Sequence, residues 1–407
     1  MDRRSLLKLL AGAATAPFVP VMEQSSATHP LKGYIRTNWS RDPFSYGSYS
    51  FYTTKTRRRH LRALEHPLEE RVFFAGEACY QEMNSTVHAA HLSGAEVAEK
   101  VRMTGAREIG IIGAGMAGLT AAAHLTDYGI KPKVFEARDR IGGRIWTDTR
   151  FDVPLDLGAS WIHGAIDNPI TEMAAKIGME RMRTRDQSVT RGKGGRRISW
   201  AATPDWVKEV TEIQHEAAAD YRDINVDLYQ NQDYYEGPDM VLPDGYKRVF
   251  DALPVVEDQI TLRAEVTAIS YTEDDAGLTL KSGDQYRFDA LIVTVPLGVL
   301  KAESITFIPD LPTPKKEAIA TIGVGTLDKI VLVYQTPFWD KDTSWIITPE
   351  NGLPRGRFNQ WFNLYPYLEQ PIVVGLNAAD PALQLAELDD ATFLAQARQT
   401  FESIYPI

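Results

Sequence analysis

Apolar and polar positions follow two different periods along this chain, and the change between them predicts its strands and helices. Ile109, Ile111 and Ile112 form a short apolar run that is typical of a buried strand. Residues 117–128 then have the apolar spacing of a helix, and Lys133–Phe135 form the next short strand. This strand–helix–strand order predicts a Rossmann-like α/β domain.

The rest of the chain predicts a second domain. Alternating apolar and polar residues over 260–271 and 278–288 indicate half-buried strands, and 290–296 indicate a buried strand that ends in proline. Residues 168–240 have a helical pattern, and 315–407 predict a helix, a sheet and a last helix. A chain of 407 residues, 44% of them hydrophobic, is long enough to bury two cores.

Three glycines follow the first strand at GxGxxG spacing. Gly113 would make the tight turn, Gly115 would let a pyrophosphate approach the backbone, and Gly118 would let the helix pack closely on the strand. Glycines also mark ordinary turns, but here the strand, the helix and the second strand all occur in the required order. The loop therefore predicts a dinucleotide site.

The helix and the second strand add two features of such a site. The helix N-terminus, at Met116 and Ala117, offers free N–H groups and a positive dipole end to phosphates. Glu136 ends the second strand about 20 residues beyond the glycines, where a carboxylate can accept hydrogen bonds from ribose hydroxyls.

A second glycine pair, followed by an arginine, lies just beyond the second strand. This EAR…GGR run resembles the flavin-containing amine oxidase family. The resemblance implies an FAD-binding domain of the p-hydroxybenzoate hydroxylase-like type and a mixed α+β substrate domain. It also implies that the glycine pair approaches the diphosphate and that the arginine guanidinium lies near it; the alternative is a solvated loop arginine. The residues assigned to the cofactor here are Glu136, Ala137, Arg138, Gly142, Gly143 and Arg144.

The segment GASWIHG resembles the family stretch that lies along the flavin. Small residues at Gly158, Ala159 and Ser160 would let the isoalloxazine approach the backbone. Trp161 and His163 would then sit beside the flavin cavity, with His163 a candidate catalytic residue. Taken alone, Trp161 would be interpreted as a core aromatic and His163 as a satisfied buried histidine.

The family motifs occur in an unexpected order. Residues 37–50, 71–78 and 85–94 resemble the TxW…DP…GSYS, FAGE and GTVHGAxLSG motifs, which normally lie near the family's C-terminus. In the family, a stretch like 401–407 leads directly into one like 30–37. We therefore interpret the chain as a circular permutant joined at 102–107; a rearranged gene whose product does not fold is the competing explanation.

The resemblance assigns further site residues. Lys329 would reach the flavin N5 through a water and assist the reduction of oxygen, although the solvent face of an edge strand is an alternative position for it. Tyr49 would form one wall of an aromatic cage, and Thr86 would occupy the place of the second wall. Trp39 would pack near the flavin, and Glu77 would hold the ribityl chain.

Three more positions complete the expected cofactor site. Val87 follows Thr86 at the start of a helix, and Val266 resembles the valine whose backbone meets the adenine. Ser48 stands where some monoamine oxidases carry a cysteine that is bonded to the flavin. A serine cannot form that thioether, so FAD is expected to bind non-covalently.

The implied reaction is oxidation of a small-molecule amine by hydride transfer to flavin N5. An apolar pocket would lower the pKa of the substrate ammonium and favour the neutral amine. The imine would hydrolyse to an aldehyde, and O₂ would be reduced to H₂O₂. One alternative is an L-amino-acid oxidase, with Arg150 or Arg357 binding the substrate carboxylate; another is a non-catalytic FAD-binding protein.

Composition and charge exclude several other classes. The formal net charge of −10 argues against nucleic acid as a partner, and the basic run at 57–60 is interpreted as a solvated loop. Cys79 is the one cysteine, so no internal disulfide is possible. His88 and His91 have HxxH spacing but lack a third ligand, so we expect no metal site. The sequence contains no GxSxG motif, so an α/β-hydrolase is not expected.

The N-terminus resembles a twin-arginine export signal. Arg3 and Arg4 precede a mild apolar stretch at 9–21, which is shorter than the about 20 residues that a membrane span needs. We expect export to the periplasm and no stable membrane span, with a cytoplasmic protein as the alternative.

The expected domains are 1–28 (signal), 29–164 (FAD-binding segments, with the permuted tail at 29–101 and the Rossmann core at 107–164), 165–240 (helical substrate-domain segment), 241–300 (return strands of the FAD domain) and 301–407 (substrate domain).

Overall fold

The computed structural model describes residues 29–254 and 257–406. The chain divides into two compact units. Among the described residues, the first unit comprises Pro43–Arg181 and Asn225–Val324, and the second comprises the residues up to Asp42, Met182–Ile224 and those from Gly325 onward. The predicted export signal lies outside the described residues.

The first unit is built on a five-stranded sheet in which all neighbouring strands are parallel. Its strands, in order across the sheet, are Ile260–Thr261, Lys133–Phe135, Ile109–Ile112, Ala290–Val293 and Val72–Phe74. The three inner strands are almost entirely apolar because helices and other chain segments cover both faces. The prediction of a Rossmann-like α/β domain is confirmed.

A four-stranded sheet and two short antiparallel strand pairs accompany it in the first unit. Strands form within both predicted ranges, but four of the five residues of Ala276–Leu280 are buried, so burial does not alternate along every strand. The four strands, in order, are Gln285–Phe288, Ala276–Leu280, Val266–Tyr271 and Thr306–Ile308. The short strands are Thr147–Asp148 with Leu155–Asp156, Trp161–Ile162 with Met240–Val241, and Tyr49–Phe51.

Helices pack on the parallel sheet of the first unit. Val87–Met103 and Met116–Asp127 lie so close that a Cβ on Gly94 would be 2.3 Å from the carbonyl oxygen of Ala117. The segment that resembles the family's tail is thus packed directly on the helix that follows the glycine loop. The other α-helices are Arg58–Glu65, Pro169–Lys176, Val226–Gln230, Leu297–Lys301 and Thr313–Thr321, and the 3₁₀-helices are Glu77–Cys79, Tyr246–Ala252 and Glu257–Gln259.

A short turn connects the tail-like helix to the first strand of the glycine-loop motif. Gly105, with φ of 82°, lies in this turn, and the Asp289 carboxylate accepts hydrogen bonds from the backbone N–H groups of Arg107 (2.8 Å) and Glu108 (2.9 Å). These bonds lower the pKa of the Asp289 carboxyl. Residues 104–107, within the segment interpreted as the join, therefore form a hydrogen-bonded turn after the helix ends at Met103.

The second unit is built on a seven-stranded, mainly antiparallel sheet. Its strands, in order, are Leu31–Arg36, Leu327–Tyr334, Ile372–Ala378, Gln360–Asn363, Trp345–Ile347, Ser188–Arg191 and Arg197–Ile198. One face packs against the final helix through an aromatic core that includes Tyr334, Trp361 and Phe401. The predicted sheet and last helix are confirmed.

Segments from both ends of the described chain meet within the second unit. Arg36 donates hydrogen bonds to the carbonyls of Leu385 (2.7 Å) and Leu388 (2.8 Å) and pairs with Asp390 (2.9 Å). These contacts attach the first strand to the last two helices. The helices of this unit are Asp205–Lys208, the π-helix Glu209–Gln214, His215–Ala217, Tyr365–Leu368, Ala379–Ala386 and Asp390–Ser403, with 3₁₀ turns at Trp39–Arg41, Lys193–Gly195, Trp200–Ala202 and Tyr221–Asp223.

The structure differs from the sequence prediction over 168–240. Only parts of this range are helical, and Ser188–Arg191 forms a strand because it pairs in parallel with Trp345–Ile347, far away in sequence. Residues 301–324, expected in the substrate domain, lie in the first unit. Among the described residues, no helix combines the length and apolar character needed to cross a bilayer.

Candidate functional site

The glycine loop has the geometry that its sequence predicts. Gly113 has φ of 108°, which side chains rarely adopt, and a Cβ on Gly118 would lie 2.0 Å from the Gly113 carbonyl oxygen. At Gly115, by contrast, a Cβ would meet no atom within 4 Å. The backbone at Gly115 therefore borders open space, which is the cradle that a pyrophosphate requires.

The second glycine pair lies against this loop. The Gly142 N–H donates to the Ala114 carbonyl (2.8 Å), and a Cβ on Gly143 would lie 3.6 Å from the Gly115 Cα. Both glycines have positive φ, at 101° and 57°. The second glycine pair thus lies next to Gly115, where the backbone borders open space.

Glu136 is held by the backbone around it. It is buried, and its carboxylate accepts hydrogen bonds from the N–H groups of Ala114 and Arg138, both at 2.8 Å. A carboxylate has about four lone-pair sites, so these bonds orient Glu136 and leave acceptor capacity for ribose hydroxyls. Arg138 itself donates to the Ser45 hydroxyl (2.9 Å).

Arg144 has a more specific environment than a solvated loop arginine would have. Its guanidinium pairs with Glu77 (2.8 Å) and donates to the Ser48 carbonyl (3.0 Å). Glu77 is only 5% exposed and also accepts bonds from Ser50 and Ser85. The alternative of a solvated arginine is therefore wrong, and the arginine assigned to the diphosphate and the carboxylate assigned to the ribityl chain form one ion pair.

The carboxyl ends of the parallel strands bring these groups to one edge of the sheet. Gly113 follows the central strand, Glu136 follows a neighbouring strand, and Glu77 follows the strand Val72–Phe74 shortly after its end. In open α/β sheets, ligands bind outside this edge.

Thr86 caps the helix that begins at Val87. Its hydroxyl accepts the Ala89 N–H (3.1 Å) and donates to the Met83 carbonyl (2.9 Å). The helix begins at Val87, so the positive end of its dipole lies at the two residues assigned to the cofactor there.

The GASWIHG segment forms a hydrogen-bonded loop. The Ala159 N–H donates to the Arg144 carbonyl (3.2 Å), and the Ser160 hydroxyl donates to the carbonyls of Asp156 and Gly158 (3.2 Å each). This loop therefore adjoins the second glycine motif.

His163 is exposed and is not the satisfied buried histidine of the alternative interpretation. Its Nδ1 lies 2.9 Å from Asp239, whose other carboxylate oxygen accepts the Gly164 N–H (3.0 Å). Burial would raise the pKa of Asp239, but the hydrogen bonds and charge of His163 lower it overall. Asp239 thus fixes the orientation of the imidazole.

The remaining cofactor assignments lie on regular elements of the first unit. Met116 and Ala117 are buried at the start of the helix after the glycine loop. Val266 is buried at the start of its strand, and the Ala264 N–H donates to the Glu136 carbonyl (2.8 Å). The segment that leads into the expected adenine-side valine is thus bonded to the backbone of Glu136. Ala137 is half-buried next to Glu136.

His88 and His91 contact different partners. Nδ1 of His88 lies 3.3 Å from the Asn168 amide nitrogen, whereas Nδ1 of His91 lies 3.0 Å from the Thr120 hydroxyl. In the part of the chain that the structure describes, no group of three or more His, Cys, Asp or Glu side chains is arranged to hold a metal ion.

We expect three histidines, His88, His91 and His215, to make the folded protein less stable in acid. Burial lowers the pKa of His88, His91 and His215 to about 4, from an ordinary 6.5. The unfolded chain binds more protons than the folded chain between these pH values, so stability is lost as pH falls from 6.5 to 4, by up to about 1.4 kcal/mol per pH unit for each histidine. Melting temperatures at pH 7 and pH 5 should differ less for His91→Gln than for the wild type; an equal difference would contradict the assignment.

In the second unit, Lys329 lies on a strand that is paired on both sides. Leu327–Tyr334 pairs with Leu31–Arg36 and with Ile372–Ala378, and Lys329 is 3% exposed. The edge-strand alternative is therefore wrong. A buried ammonium is costly unless it is paired and hydrogen-bonded.

Asp328 anchors Trp39 in the second unit. The buried Asp328 carboxylate accepts bonds from the Thr37 hydroxyl and the Trp39 N–H, both at 2.8 Å. Burial raises the pKa of Asp328, although these two bonds oppose the shift. The Thr37 hydroxyl also accepts the Lys329 N–H (2.8 Å), so Asp328 and Thr37 together connect the backbones of Trp39 and Lys329.

Sequence reasoning missed four polar residues around these assignments: Ser50, Asn84, Asp239 and Asp328. Ser50 and Asp328 are adjacent to Tyr49 and Lys329, which were assigned roles in the site. A polar residue on an otherwise apolar strand was the available signal for Asp328. The other three are recognisable only from tertiary contacts.

The parallel sheet, the glycine loop and the acidic residue at the next strand end define a dinucleotide-binding protein. The family model described as flavin containing amine oxidoreductase matches residues 7–102, 116–219 and 217–407. The chain belongs to this family.

Individual relatives and structures agree with the family. The chain is 27% identical to human lysine-specific histone demethylase 2 over 356 residues, which cover 72% of this chain and 43% of that protein. It is 28% identical to polyamine oxidase 4 of Oryza sativa subsp. japonica over 340 residues, covering 69% of each. The chain thus spans less than half the length of the human demethylase.

Among solved structures, putrescine oxidase bound to putrescine aligns with a TM-score of 0.55 and 20% identity, covering 74% of this chain and 83% of that one. A triple mutant of putrescine oxidase aligns with a TM-score of 0.57 and 17% identity over the same shares. At these identities the likeness shows the fold.

Proposed function

We propose that this protein is an FAD-dependent amine oxidase that converts an amine to an imine, with O₂ reduced to H₂O₂ and the imine hydrolysed to an aldehyde. The observation that carries the proposal is the open space at Gly115, with the second glycine pair next to it, in a chain of the flavin-containing amine oxidoreductase family. When bound, FAD supplies the two-electron oxidation chemistry.

Residues of the first unit would hold FAD without a covalent bond. The N–H groups at Gly115, Met116 and Ala117 would face the diphosphate, and Glu136 would accept the ribose hydroxyls. Glu77 would accept a hydrogen bond from a ribityl hydroxyl and would remain paired with Arg144. Ser48 has no thiol with which to form a thioether.

Residues near the reacting atoms would exclude water and orient the amine. Tyr49 would provide an aromatic wall, and an apolar, desolvated pocket would favour the neutral amine, whose lone pair is needed for hydride release. Lys329 would hold a water near the flavin and stabilise the negative charge that develops on oxygen. His163, held by Asp239, would lie beside the flavin cavity.

The L-amino-acid oxidase alternative receives little support from its two candidate arginines. Arg150 makes a bidentate ion pair with Asp148, through Nε and the terminal nitrogen at 2.8–3.0 Å. Arg357 donates to the exposed Gln384 side chain (2.6 Å). Both guanidinium groups therefore have partners within the chain.

Peroxide release on spermidine, phenethylamine and leucine tests the proposal. We expect release on spermidine or phenethylamine from the purified, yellow protein. Release on leucine alone would favour the amino-acid oxidase, and no release on any of them, with FAD bound, would favour a non-catalytic FAD-binding protein.

We also propose the permuted segment order and export by the twin-arginine route. The order is supported by the hydrogen-bonded turn at the join and by the packing of Gly94 on Ala117. Export of a folded protein suits one that is loaded with FAD before it crosses the membrane. Fractionation of cells expressing the full chain, beside an Arg3→Lys, Arg4→Lys variant, tests the export proposal.

A further inference from the structure

Ser50, the residue after Tyr49, is bound at all three of its polar groups. Its hydroxyl donates to Glu77 (2.6 Å), and its N–H lies 3.3 Å from both oxygens of the same carboxylate. Its carbonyl accepts bonds from the Ser85 hydroxyl and the Asn84 amide. Ser50 is 1% exposed, so these contacts are shielded from water.

The partners of Ser50 are themselves held in place. Ser85 has φ of 72°, a left-handed conformation that costs energy for a residue with a side chain, and its N–H donates to Glu77 (3.0 Å). Asn84 also donates to the Ser50 hydroxyl (3.1 Å) and accepts a bond from Gln232. A strained backbone of this kind persists only where its surroundings hold it.

The opposite side of this strand carries the ring assigned to the substrate. Side chains alternate along a strand, so Tyr49 and Phe51 share the side away from Ser50. Phe51 is packed, since a Cβ on Gly323 would lie 2.3 Å from its ring. The strand is therefore fixed on one side by Glu77 and on the other by Phe51.

We propose that Ser50 is a positioning residue that couples the flavin-binding carboxylate of Glu77 to the orientation of the Tyr49 ring. This inference rests on the proposed function and adds a residue to it. Glu77 accepts bonds from Arg144, Ser50 and Ser85 at once, so the group that would hold the ribityl chain also sets the strand that carries Tyr49. Ser50 itself touches neither amine nor flavin.

A double-mutant cycle of Ser50→Ala and Tyr49→Ala tests the coupling. The readouts are the anaerobic rate of flavin reduction by an amine and the visible circular dichroism of the bound flavin. We expect Ser50→Ala to slow reduction about tenfold, because small misplacements near a reacting centre have effects of this order or larger. In the Tyr49→Ala background, Ser50→Ala should change the rate less than about twofold.

Two further variants separate positioning from folding. Ser85→Ala removes the hydroxyl bonded to the Ser50 carbonyl but keeps the N–H bonded to Glu77, and it should reproduce the effect of Ser50→Ala on both readouts. Ser403→Ala removes a helical hydroxyl that is bonded to the Thr400 carbonyl (3.1 Å) in the second unit, and it should change neither.

The proposal would be overturned if Ser50→Ala and Tyr49→Ala acted independently on the dichroism and on the reduction rate, so that their effects on the rate multiplied in the double variant. An unchanged dichroism spectrum in both Ser50→Ala and Ser85→Ala would also overturn it. If the wild type reduces no amine, the proposed function fails, but the dichroism cycle on the FAD-loaded protein still decides whether Ser50 acts through Tyr49.

Discussion

Replacing Lys329 with methionine is expected to slow reoxidation of the reduced flavin by O₂ about 100-fold, the typical effect of losing one preorganised electrostatic group. Lys329 is buried, and its strand is paired on both sides. Reduction of oxygen creates negative charge, which a nearby ammonium stabilises. Stopped-flow mixing of reduced enzyme with oxygenated buffer measures the rate, and anaerobic reduction by the amine should change much less.

Lys315 provides a matched control, since it is equally buried but belongs to the core of the first unit. Its ammonium donates to the carbonyls of Ala63 (3.0 Å) and Leu64 (2.7 Å) and lies 3.8 Å from the Phe74 ring centre. Lys315→Met should lower the melting temperature and leave the oxygen rate unchanged. If both variants slow reoxidation equally, Lys329 has no special role.

Replacing Gly115 with valine is expected to weaken FAD binding about 100-fold, equivalent to about 2.7 kcal/mol, with little effect on the apoprotein. A Cβ at Gly115 meets no protein atom within 4 Å and the backbone there has φ of −82°, so the protein alone tolerates a side chain. A pyrophosphate bound against Gly115 would leave no room for that side chain. Titration of apoprotein with FAD measures the affinity, and thermal melting of the apoprotein measures stability.

A smaller substitution at Gly115 and a substitution at Gly118 serve as controls for this prediction. Gly115→Ala should have a smaller effect on affinity than Gly115→Val. Gly118→Ala should lower the melting temperature of the apoprotein itself, because its Cβ would lie 2.0 Å from the Gly113 carbonyl oxygen. Unchanged FAD affinity in Gly115→Val would place the diphosphate elsewhere.

Features set by local chemistry could be predicted from the sequence. The turn at Gly113 and the close packing at Gly118 follow from what glycine alone permits. The strand Ile109–Ile112 and the helix after it follow from hydrophobic periodicity. These features were enough to predict the Rossmann-like domain and the edge of the sheet at which a dinucleotide binds.

Features set by long-range contacts could not be predicted in this way. Ser188–Arg191 is a strand because of a partner more than 150 residues away, which overrides the apparent helical pattern around it. The ion pair of Glu77 and Arg144 joins residues 67 positions apart. The family resemblance named both residues but assigned them to different parts of the cofactor.

The most direct test of amine oxidation is anaerobic mixing of the purified, FAD-loaded protein with a panel of amines while flavin absorbance is followed. The proposed function predicts that at least one monoamine or polyamine bleaches the flavin, and that admitting air restores the colour with formation of H₂O₂. Flavin that stays oxidised with every amine in the panel would contradict it.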